Sequence, residues 1–145
     1  MQVKIKLLDK ECMPAKAHFD DAAYDLKSRI DIAIKPHAVV PVPLGFQVAL
    51  PTGAGWVGEL QIRPRSGLAL KAHVFIANSP GTVDAGYRNE VMALVENCGD
   101  SIFLVKKYDR IAQGIFTKVE RAMFEEVEEL DDTERGLGGF GSTGV

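Results

Sequence analysis

The chain has 145 residues, 46% of them hydrophobic and 26% charged, which is enough apolar sequence for the core of one compact domain. Its formal net charge of −3, without a cluster of basic residues, argues against a nucleic-acid-binding surface. No apolar run approaches the roughly 20 residues that a membrane-spanning helix needs, and the N-terminus lacks the apolar stretch of a signal peptide.

The cysteines and histidines are too dispersed to predict a disulfide framework or a zinc site. Cys12 and Cys98 each stand alone, and His18, His37 and His73 are scattered along the chain. We therefore expect reduced thiols in a cytoplasmic protein.

The sequence predicts an all-β fold of many short strands. Val3, Ile5 and Leu7 alternate with polar residues, which is the period of a half-buried opening strand. Prolines, glycines and asparagines separate the later apolar runs, and this pattern is typical of a sandwich or a barrel. The later runs are Ile30–Ile34, Val39–Val42, Gly45–Leu50, Trp56–Ile62, Val74–Ala77, Val91–Val95, Ile102–Val105 and Ile111–Val119, and only Ser66–Ala72 has the pattern of a short helix.

Two segments of unusual composition end the chain. Residues 125–134 include seven acidic residues and are predicted to form a solvated linker. Arg135–Val145 contains five glycines and only three apolar residues, so it cannot build a core. The chain is thus divided into a domain of residues 1–124, the linker, and a Gly-rich arm whose guanidinium, hydroxyls and ring suit phosphate and a base. A disordered tail is the alternative for this arm.

The hexapeptide Arg63-Pro-Arg-Ser-Gly-Leu68 has the composition of an anion site. Gly67 permits close approach of the backbone, and Arg65 and Ser66 supply donors at the start of the predicted helix. The alternative is an ordinary helix start in which Ser66 is the N-cap and the arginines lie in solvent. This segment alone does not decide between them.

The segment from Asn78 to Val91 predicts a hairpin with a tight turn at Pro80-Gly81. The polar backbone of such a turn suits the edge of a base, and Asp84 is a candidate for orienting or deprotonating a water. The alternative is a surface hairpin in which Asp84 only forms a turn and Tyr87 packs in the core.

A third cluster, Tyr108-Asp-Arg-Ile-Ala-Gln113, leads from a turn into a strand. Because Ile111 and Ile115 fall on the same alternation as Gln113, we expect this glutamine to point inward. A buried amide needs hydrogen-bond partners or a ligand, so a satisfied core glutamine remains the alternative.

These clusters, with two further segments, resemble the five ordered motifs of the trimeric dUTPases (deoxyuridine triphosphate nucleotidohydrolases). The resemblance covers nearly the whole chain, and five motifs in order at these separations are far more specific than any one alone. The motifs are Ala22-Ala-Tyr-Asp-Leu26, Pro64-Arg-Ser-Gly-Leu68, Gly81-Thr-Val-Asp-Ala-Gly-Tyr-Arg88, Asp109-Arg-Ile-Ala-Gln113 and Arg135-Gly-Leu-Gly-Gly-Phe-Gly-Ser-Thr-Gly144.

The resemblance implies both a fold and a reaction. The fold is a jelly-roll-like distorted β-barrel with one short helix and a flexible C-terminal arm, assembled as a homotrimer whose active sites lie at the subunit interfaces. The reaction is hydrolysis of dUTP to dUMP and pyrophosphate, by water attack at the α-phosphorus with Mg²⁺ held on the triphosphate. This reaction keeps uracil out of DNA and supplies dUMP for dTMP synthesis.

The resemblance also implies roles at the nucleoside end of the substrate. Asp84 positions and activates the water and contacts the sugar 3′-OH, and Tyr87 stacks on the deoxyribose and leaves no room for a 2′-OH. The remaining residues implied at this end, which read uracil or line the site, are Asn78, Thr82, Val83 and Met92.

At the phosphate end, the resemblance implies contacts from Arg65, Ser66, Gly67 and Gln113, the last beside the α-phosphate. Asp25 reaches Mg²⁺ through water, an arrangement that suits an ion which keeps much of its hydration shell. The arm contributes Arg135, Phe140, Gly141 and Ser142, with the arginine and the serine on the γ-phosphate and the ring on uracil.

Four positions depart from the family pattern in this chain. Ala23, His73 and Asn89 each replace a usual glycine, and Gly86 replaces a usual aspartate. We expect Ala23 only to adjust a packing contact and Asn89 to be a mild change, because asparagine tolerates the left-handed conformation. Gly86 is expected to loosen the segment that holds Tyr87.

Two other functions are weighed against dUTP hydrolysis. One is that of a dCTP deaminase-type relative, which carries a catalytic glutamate in the strand after the third motif, whereas Val91–Val95 here has no carboxylate before Glu96. The other is that of a regulatory binding protein, and binding of a protein partner is compatible with catalysis.

Overall fold

The computed structural model describes residues 1–138, which form mostly β-structure with one short α-helix. This class of fold confirms the prediction from the strand pattern, and the helix has the bounds predicted for it. The strands are β1 Lys4–Leu7, β2 Tyr24–Lys27, β3 Ile32–Ile34, β4 Val39–Pro43, β5 Phe46–Ala49, β6 Thr52–Gly53, β7 Trp56–Arg63, β8 Val74–Ile76, β9 Gly81–Val83, β10 Met92–Asn97, β11 Phe103–Val105 and β12 Arg110–Glu120, and the helix is α1 Ser66–Ala72, with a 3₁₀ turn at Lys10–Cys12.

The strands of residues 1–138 pair into four sheets, and none of these sheets closes into a barrel. Strand β1 pairs with β5, β11 pairs with β3, and the order β4-β10-β8 forms a third sheet. In the largest sheet, β12 lies between β2 and β7, and both β6 and β9 pair with the other edge of β7. Of the jelly-roll-like distorted β-barrel that the resemblance implies, the structure shows the short strands and the single helix, but as separate sheets that do not close. One reason is that Pro41 and Pro43, which lack the N–H donor, make β4 an edge strand.

The strands predicted on either side of the Pro80-Gly81 turn, Val74–Ala77 and Val91–Val95, correspond to β8 and β10, which pair antiparallel as a hairpin requires, but the segment between them contains a further strand, β9, that was not predicted. Strand β8 pairs with β10, whereas β9 pairs with β7 through Ile62 opposite Gly81. The turn before Gly81 therefore carries the chain from one sheet to another. A Cβ added at Gly81 would lie 3.0 Å from Nδ2 of Asn78, so the glycine lets the Asn78 side chain lie against the start of β9.

A β-bulge in β12 reverses the predicted side-chain alternation at Gln113. Arg110 lies opposite Lys27 and Ala112 lies opposite Leu26, so Ile111 is an extra residue on β12. Ile111 and Ala112 are both buried, and Gln113 is only half-buried. Because the bulge shifts the alternation by one residue, Gln113 does not share the inward face of Ile111 as predicted.

The core between the sheets is apolar, with one fully hydrogen-bonded amide inside it. The side chains of Leu26, Phe46 and Leu60 are fully buried. Asn97 is 1% exposed, and its Nδ2 donates to the carbonyls of Ile34 at 3.0 Å and Ser101 at 2.8 Å. This amide thereby joins β10 to β3 and to the turn before β11.

The left-handed conformation occurs at His73 rather than at Asn89. His73 ends α1 with a φ of 53°, and its backbone N–H donates to the carbonyl of Leu68. Glycine is the usual residue at such a helix end because it has no Cβ. Asn89 is not among the described residues with positive φ, so the tolerance expected of asparagine is not needed there.

After β12, the described residues 121–138 contain neither helix nor strand. Their apolar side chains are largely exposed, including Met123 at 94% and Phe124 at 97%. The proposed division into a domain, an acidic linker and an arm stays a prediction.

Cys12 and Cys98 are both free thiols. No helix of residues 1–138 is long and apolar enough to cross a membrane.

Gly45 is required where the chain turns from β4 into β5. Its φ of +77° is left-handed, and an added Cβ would lie 2.6 Å from Cβ and 2.7 Å from Sγ of Cys12. Its carbonyl also accepts the N–H groups of Leu8 and Asp9 at 2.8 and 3.1 Å. A side chain at this position would therefore both strain the backbone and separate β5 from the N-terminal segment.

We expect Gly45→Ala to lower the free energy of unfolding by about 1–3 kcal/mol more than Gly55→Ala does, because only Gly45 is overpacked by the new methyl group. Gly55 is the matched control, since its φ of +74° is equally left-handed but no atom lies within 4 Å of an added Cβ. Chemical denaturation of both variants measures the difference. Equal destabilisation of the two would contradict the role of the Cys12 contact.

Candidate functional site

One cavity lies at the end of β9 and is called here the β9 cavity. It has a volume of about 210 Å³. Pairing with β7 holds the strand, and Thr82 Oγ1 donates to Oε1 of Glu59 at 3.0 Å. All five residues that line it, Thr82, Val83, Asp84, Tyr87 and Met92, were candidates from the sequence.

Tyr87 is held in this cavity at both ends of the residue. Its backbone N–H donates to the carbonyl of Asp84 at 3.1 Å, and its hydroxyl donates to the carbonyl of Glu90 at 3.0 Å. The residue is 38% exposed, so the alternative in which Tyr87 packs in the core is wrong.

The loop around Gly86 is hydrogen-bonded on both sides of the glycine. Nη1 of Arg88 donates to the carbonyl of Ala85 at 2.6 Å and to the carbonyl of Tyr87 at 2.9 Å. An added Cβ at Gly86 would have no atom within 4 Å. These contacts hold the backbone on either side of Tyr87 despite the departure from the family pattern.

A second and larger cavity is rich in charged side chains and is called the arginine cavity. Its volume is about 400 Å³. The residues that line it are Ala17, Asp21, Ala22, Ala23, Asp25, Arg63, Arg65, Ser66, Gly67, Gln113 and Ile115. Asp25 and the four phosphate-end residues implied by the resemblance are all among them, whereas Asp21 and Arg63 were not singled out from the sequence.

Strand register builds one wall of the arginine cavity. Gln113 of β12 lies opposite Asp25 of β2 on one side and Arg63 of β7 on the other. Directly opposite residues present their side chains on the same face of a sheet, so these three polar side chains form one row. The amide of Gln113 also donates from Nε2 to the carbonyl of Pro64 at 2.8 Å, which ties β12 to the segment that leads into α1.

Asp25 and two arginines form an ion-pair cluster at the edge of this cavity, which Asp25 and Arg65 line but Arg110 does not. Oδ1 of Asp25 lies 3.2 Å from Nε of Arg65, and Oδ2 lies 3.0 Å from Nη1 of Arg110. Nη1 of Arg65 donates to the carbonyl of Arg110 at 2.7 Å. Arg110 was not singled out from the sequence, although it lies within the fourth motif.

The local structure bears on the helix-start interpretation of the Arg63–Leu68 segment. The N-cap of α1 is Arg65 rather than Ser66, and no side chain caps the helix. The Arg65 side chain is only 29% exposed and is paired with Asp25. The ordinary helix start with Ser66 as N-cap is therefore wrong, and of the two arginines only Arg63 is exposed as that interpretation expected.

The donors around Asp25 fit an indirect contact with Mg²⁺ better than a direct one. Within residues 1–138, no three His, Cys, Asp or Glu side chains are grouped as a metal site. Each carboxylate oxygen of Asp25 already faces an arginine. A contact through water retains both ion pairs, and Mg²⁺ commonly keeps several waters beside substrate phosphates.

The remaining candidate residues lie outside both cavities or outside the described residues. Asn78 is exposed and lies against Gly81. Arg135 is exposed, and its Nε donates to the carbonyl of Gly138 at 2.9 Å. Phe140, Gly141 and Ser142 lie outside residues 1–138. No described residue lines both cavities.

Known proteins match this chain over nearly its whole length. A family model described as dUTPase matches residues 9–144. The deoxyuridine 5′-triphosphate nucleotidohydrolase of Caulobacter vibrioides is 47% identical over 137 residues, which cover 92% of this chain and 86% of that protein.

Solved dUTPase structures have the same fold. The Staphylococcus bacteriophage 80alpha dUTPase with dUPNHPP matches with a TM-score of 0.86 at 28% identity, over 99% of each chain. A mutant dUTPase from phage phi11 of S. aureus, described as coordinating a structural Mg(II) ion, matches with a TM-score of 0.78 at 22% identity, over 91% of this chain and 100% of that one. At that identity, the second match supports the fold alone. Together with the family model and the bacterial relative, these matches lead to one conclusion: the chain belongs to the dUTPase family.

Proposed function

We propose that this chain hydrolyses dUTP to dUMP and pyrophosphate, with the nucleoside in the β9 cavity and the triphosphate on residues of the arginine cavity. The observation that carries this proposal is the grouping of Asp84 and Tyr87 with the end of β9 around one small cavity. The 80alpha relative, whose structure contains a dUTP analogue, supports the substrate class. The reaction limits the dUTP available for incorporation into DNA and yields dUMP for dTMP synthesis.

At the nucleoside end, polar backbone groups bind the edge of uracil, and an aromatic ring contacts the sugar. The exposed turn before β9 brings Asn78 beside the strand, where its amide and the backbone of Thr82 and Val83 offer donors and acceptors to uracil. The tethered ring of Tyr87 lies against the deoxyribose and excludes a 2′-OH. Met92 supplies an apolar wall.

Asp84 is proposed as the catalytic carboxylate. Its side chain is exposed at the cavity that would hold the sugar, so water can reach it. A carboxylate at hydrogen-bond distance from a water orients it and accepts its proton as the water attacks the α-phosphorus. Pyrophosphate then leaves, and the bond between the α-phosphorus and the bridging oxygen breaks.

At the phosphate end, Arg65, Ser66, Gly67 and Gln113 are proposed to hold the triphosphate. The ion pair with Asp25 fixes one edge of the Arg65 guanidinium, and its remaining N–H groups are donors for phosphate oxygens. Pre-oriented donors of this kind stabilise the charge that develops during reaction at phosphorus.

Mg²⁺ is proposed as the cofactor, bound mainly by the substrate phosphates. Asp25 would contact it through water, as the ion pairs of its carboxylate favour. When bound, the ion would neutralise part of the triphosphate charge.

A homotrimer with shared sites is proposed because one chain supplies the site in two parts. The β9 cavity and the arginine cavity have no described lining residue in common. Assembly around a threefold axis would bring the β9 cavity of one subunit to the arginine cavity of another.

Residues 135–145 are proposed to close over the site of a neighbouring subunit. Arg135 and Ser142 would contact the γ-phosphate, Phe140 would stack on uracil, and Gly141 would lie beside the ring.

Deamination of dCTP is a poorer match to this chain. In β10, the first carboxylate belongs to Glu96, which lies opposite Val39 and Phe75 in the sheet order β4-β10-β8. Glu96 does not line the β9 cavity.

We propose a reducing, cytoplasmic location for this protein, because both cysteines are free thiols.

We expect Asp84→Asn to lower kcat for dUTP on the order of 10²–10⁴-fold, because the amide cannot accept the proton of the attacking water. Binding of a non-hydrolysable dUTP analogue should change little, since the size of the side chain is kept. Asp100→Asn is the matched control, because Asp100 is also exposed and lies outside both cavities. Release of pyrophosphate measures both variants, and near-wild-type turnover by Asp84→Asn would contradict the assignment.

Co-expression of an Asp84→Asn chain with a chain that ends at Glu134 tests the shared site. Each variant alone should be nearly inactive, but random mixing at equal amounts should restore about a quarter of wild-type activity, because a quarter of the sites combine an intact Asp84 with an intact arm from a neighbour. Sedimentation of the truncated chain should still show a trimer. A mixture no more active than its components would contradict sharing in trans, and a fully active monomer would contradict the trimer itself.

A further inference from the structure

The carboxylate of Glu90 accepts three hydrogen bonds from two distant parts of the chain. Oε1 accepts from Nε of Arg29 at 2.7 Å and from the backbone N–H of Gly45 at 2.9 Å, and Oε2 accepts from Nη2 of Arg29 at 2.8 Å. The Glu90 side chain is 13% exposed. A two-pronged arginine contact of this kind is geometrically strict and stronger than a hydrogen bond between neutral groups.

The backbone next to Glu90 is hydrogen-bonded to the same part of the chain through Val91. The N–H of Val91 donates to the carbonyl of Phe46 at 2.9 Å, and the N–H of Leu44 donates to the carbonyl of Val91 at 3.0 Å. The partner Arg29 is itself tied to β4, since its N–H donates to the carbonyl of Pro43 at 2.9 Å. Glu90 is therefore held at the corner between β4 and β5.

The carbonyl of this same residue accepts the hydroxyl of Tyr87 at 3.0 Å. The residue is 38% exposed, and within residues 1–138 Tyr87 has no aromatic or cation–π partner. Packing alone therefore limits the ring on only part of its surface. The tether at the hydroxyl determines how far the ring can move within the β9 cavity.

We infer that Glu90 is a positioning residue that acts through Tyr87 and sets the selectivity for dUTP over UTP. The inference rests on the contact with deoxyribose proposed above for Tyr87. Arg29 and Gly45 hold the Glu90 carboxylate, the Glu90 carbonyl holds the Tyr87 hydroxyl, and the ring in turn occupies the space that a 2′-OH would need. Glu90 itself does not line the cavity.

A purely structural role for Glu90 makes a different prediction. Loss of a stabilising ion pair lowers the amount of folded enzyme and reduces the rates for dUTP and UTP by the same factor. Loss of ring position instead favours UTP relative to dUTP, because only UTP carries the hydroxyl that the ring excludes. The ratio of kcat/KM for the two nucleotides therefore separates the two roles.

The experiment measures this ratio for Glu90→Ala, Tyr87→Phe, the double variant and Tyr87→Ala. We expect Glu90→Ala and Tyr87→Phe each to lower the ratio roughly five- to tenfold, the effect of one lost positioning hydrogen bond. The double variant should fall no further than Glu90→Ala alone, because both changes release the same ring. Tyr87→Ala removes the ring and should show the largest loss.

Two further variants control for charge and for stability. Glu90→Gln keeps an acceptor oxygen for Arg29, so it should recover most of the lost selectivity. Lys107→Met removes the ion pair between Lys107 and Asp9, whose atoms lie 3.0 Å apart, without touching the loop that holds Tyr87. This variant should keep the wild-type ratio, and thermal unfolding reports the stability of each protein.

The outcomes separate this inference from the proposed function. A lowered ratio in Glu90→Ala and Tyr87→Phe, with non-additivity in the double variant, supports it. A wild-type ratio in Tyr87→Phe or in folded Glu90→Ala, beside a lowered ratio in Tyr87→Ala, overturns the positioning role and leaves the sugar contact intact. A wild-type ratio in Tyr87→Ala overturns the sugar contact and the inference with it. If Glu90→Ala does not fold, Tyr87→Phe decides.

Discussion

The antiparallel ladder between β12 and β7 is the interaction on which both cavities depend. It runs from Gln113 opposite Arg63 to Glu120 opposite Trp56, the longest pairing among the described strands. On its far side, β12 carries β2 and therefore Asp25, and the other edge of β7 carries β9. The charged row of the arginine cavity and the strand that leads to Asp84 are thus built on one sheet.

Close packing beneath this ladder constrains the residues of its central strand. A Cβ added at Gly114 would lie 3.0 Å from Cδ1 of Leu60 and 3.2 Å from Cδ1 of Leu26, both of which are fully buried. Gly114 therefore brings β12 down onto the core directly beside Gln113. The polar face of the sheet is positioned by the apolar face below it, because the interior is too densely packed to let the strand shift.

Ion pairs near the two cavities give some of the charged groups there a fixed direction. Asp25 orients Arg65 and Arg110 at one cavity, and Glu90 holds Arg29 beside the loop of the other. Partly exposed ion pairs contribute little to stability when isolated. We propose that their value here lies in fixing the position of the Arg65 guanidinium and of the Tyr87 ring. Such preorganisation is what a site needs in order to distinguish a transition state or a sugar.

The division of the candidate site into two cavities is the reason for proposing that this chain acts as an assembly. Each chain has two cavities, one with a carboxylate and an aromatic ring and the other with arginines. No described residue lines both of them. A symmetric oligomer would provide the missing juxtaposition without further sequence, since each subunit would contribute both parts to different sites.

The sequence by itself determined the class of fold, the helix Ser66–Ala72, most of the strands and, through five motifs, the family. These features follow from local patterns, because side-chain period, turn residues and motif order are all read along the chain. The family resemblance also grouped Asp84 with Tyr87 at the nucleoside end and Arg65 with Gln113 at the phosphate end, and the two cavities are lined accordingly.

Only the tertiary structure decided the face on which Gln113 lies, the pairing of β9 with β7, and the pairings of Asp25 and Glu90. A bulge at Ile111 changes a strand's alternation without changing its composition, so no count of apolar residues reveals it. Asp25 and Arg110 are 85 positions apart, and Arg29 and Glu90 are 61 positions apart. Contacts over such separations arise from strand register and core packing, which involve the whole chain at once and leave no local pattern in the sequence.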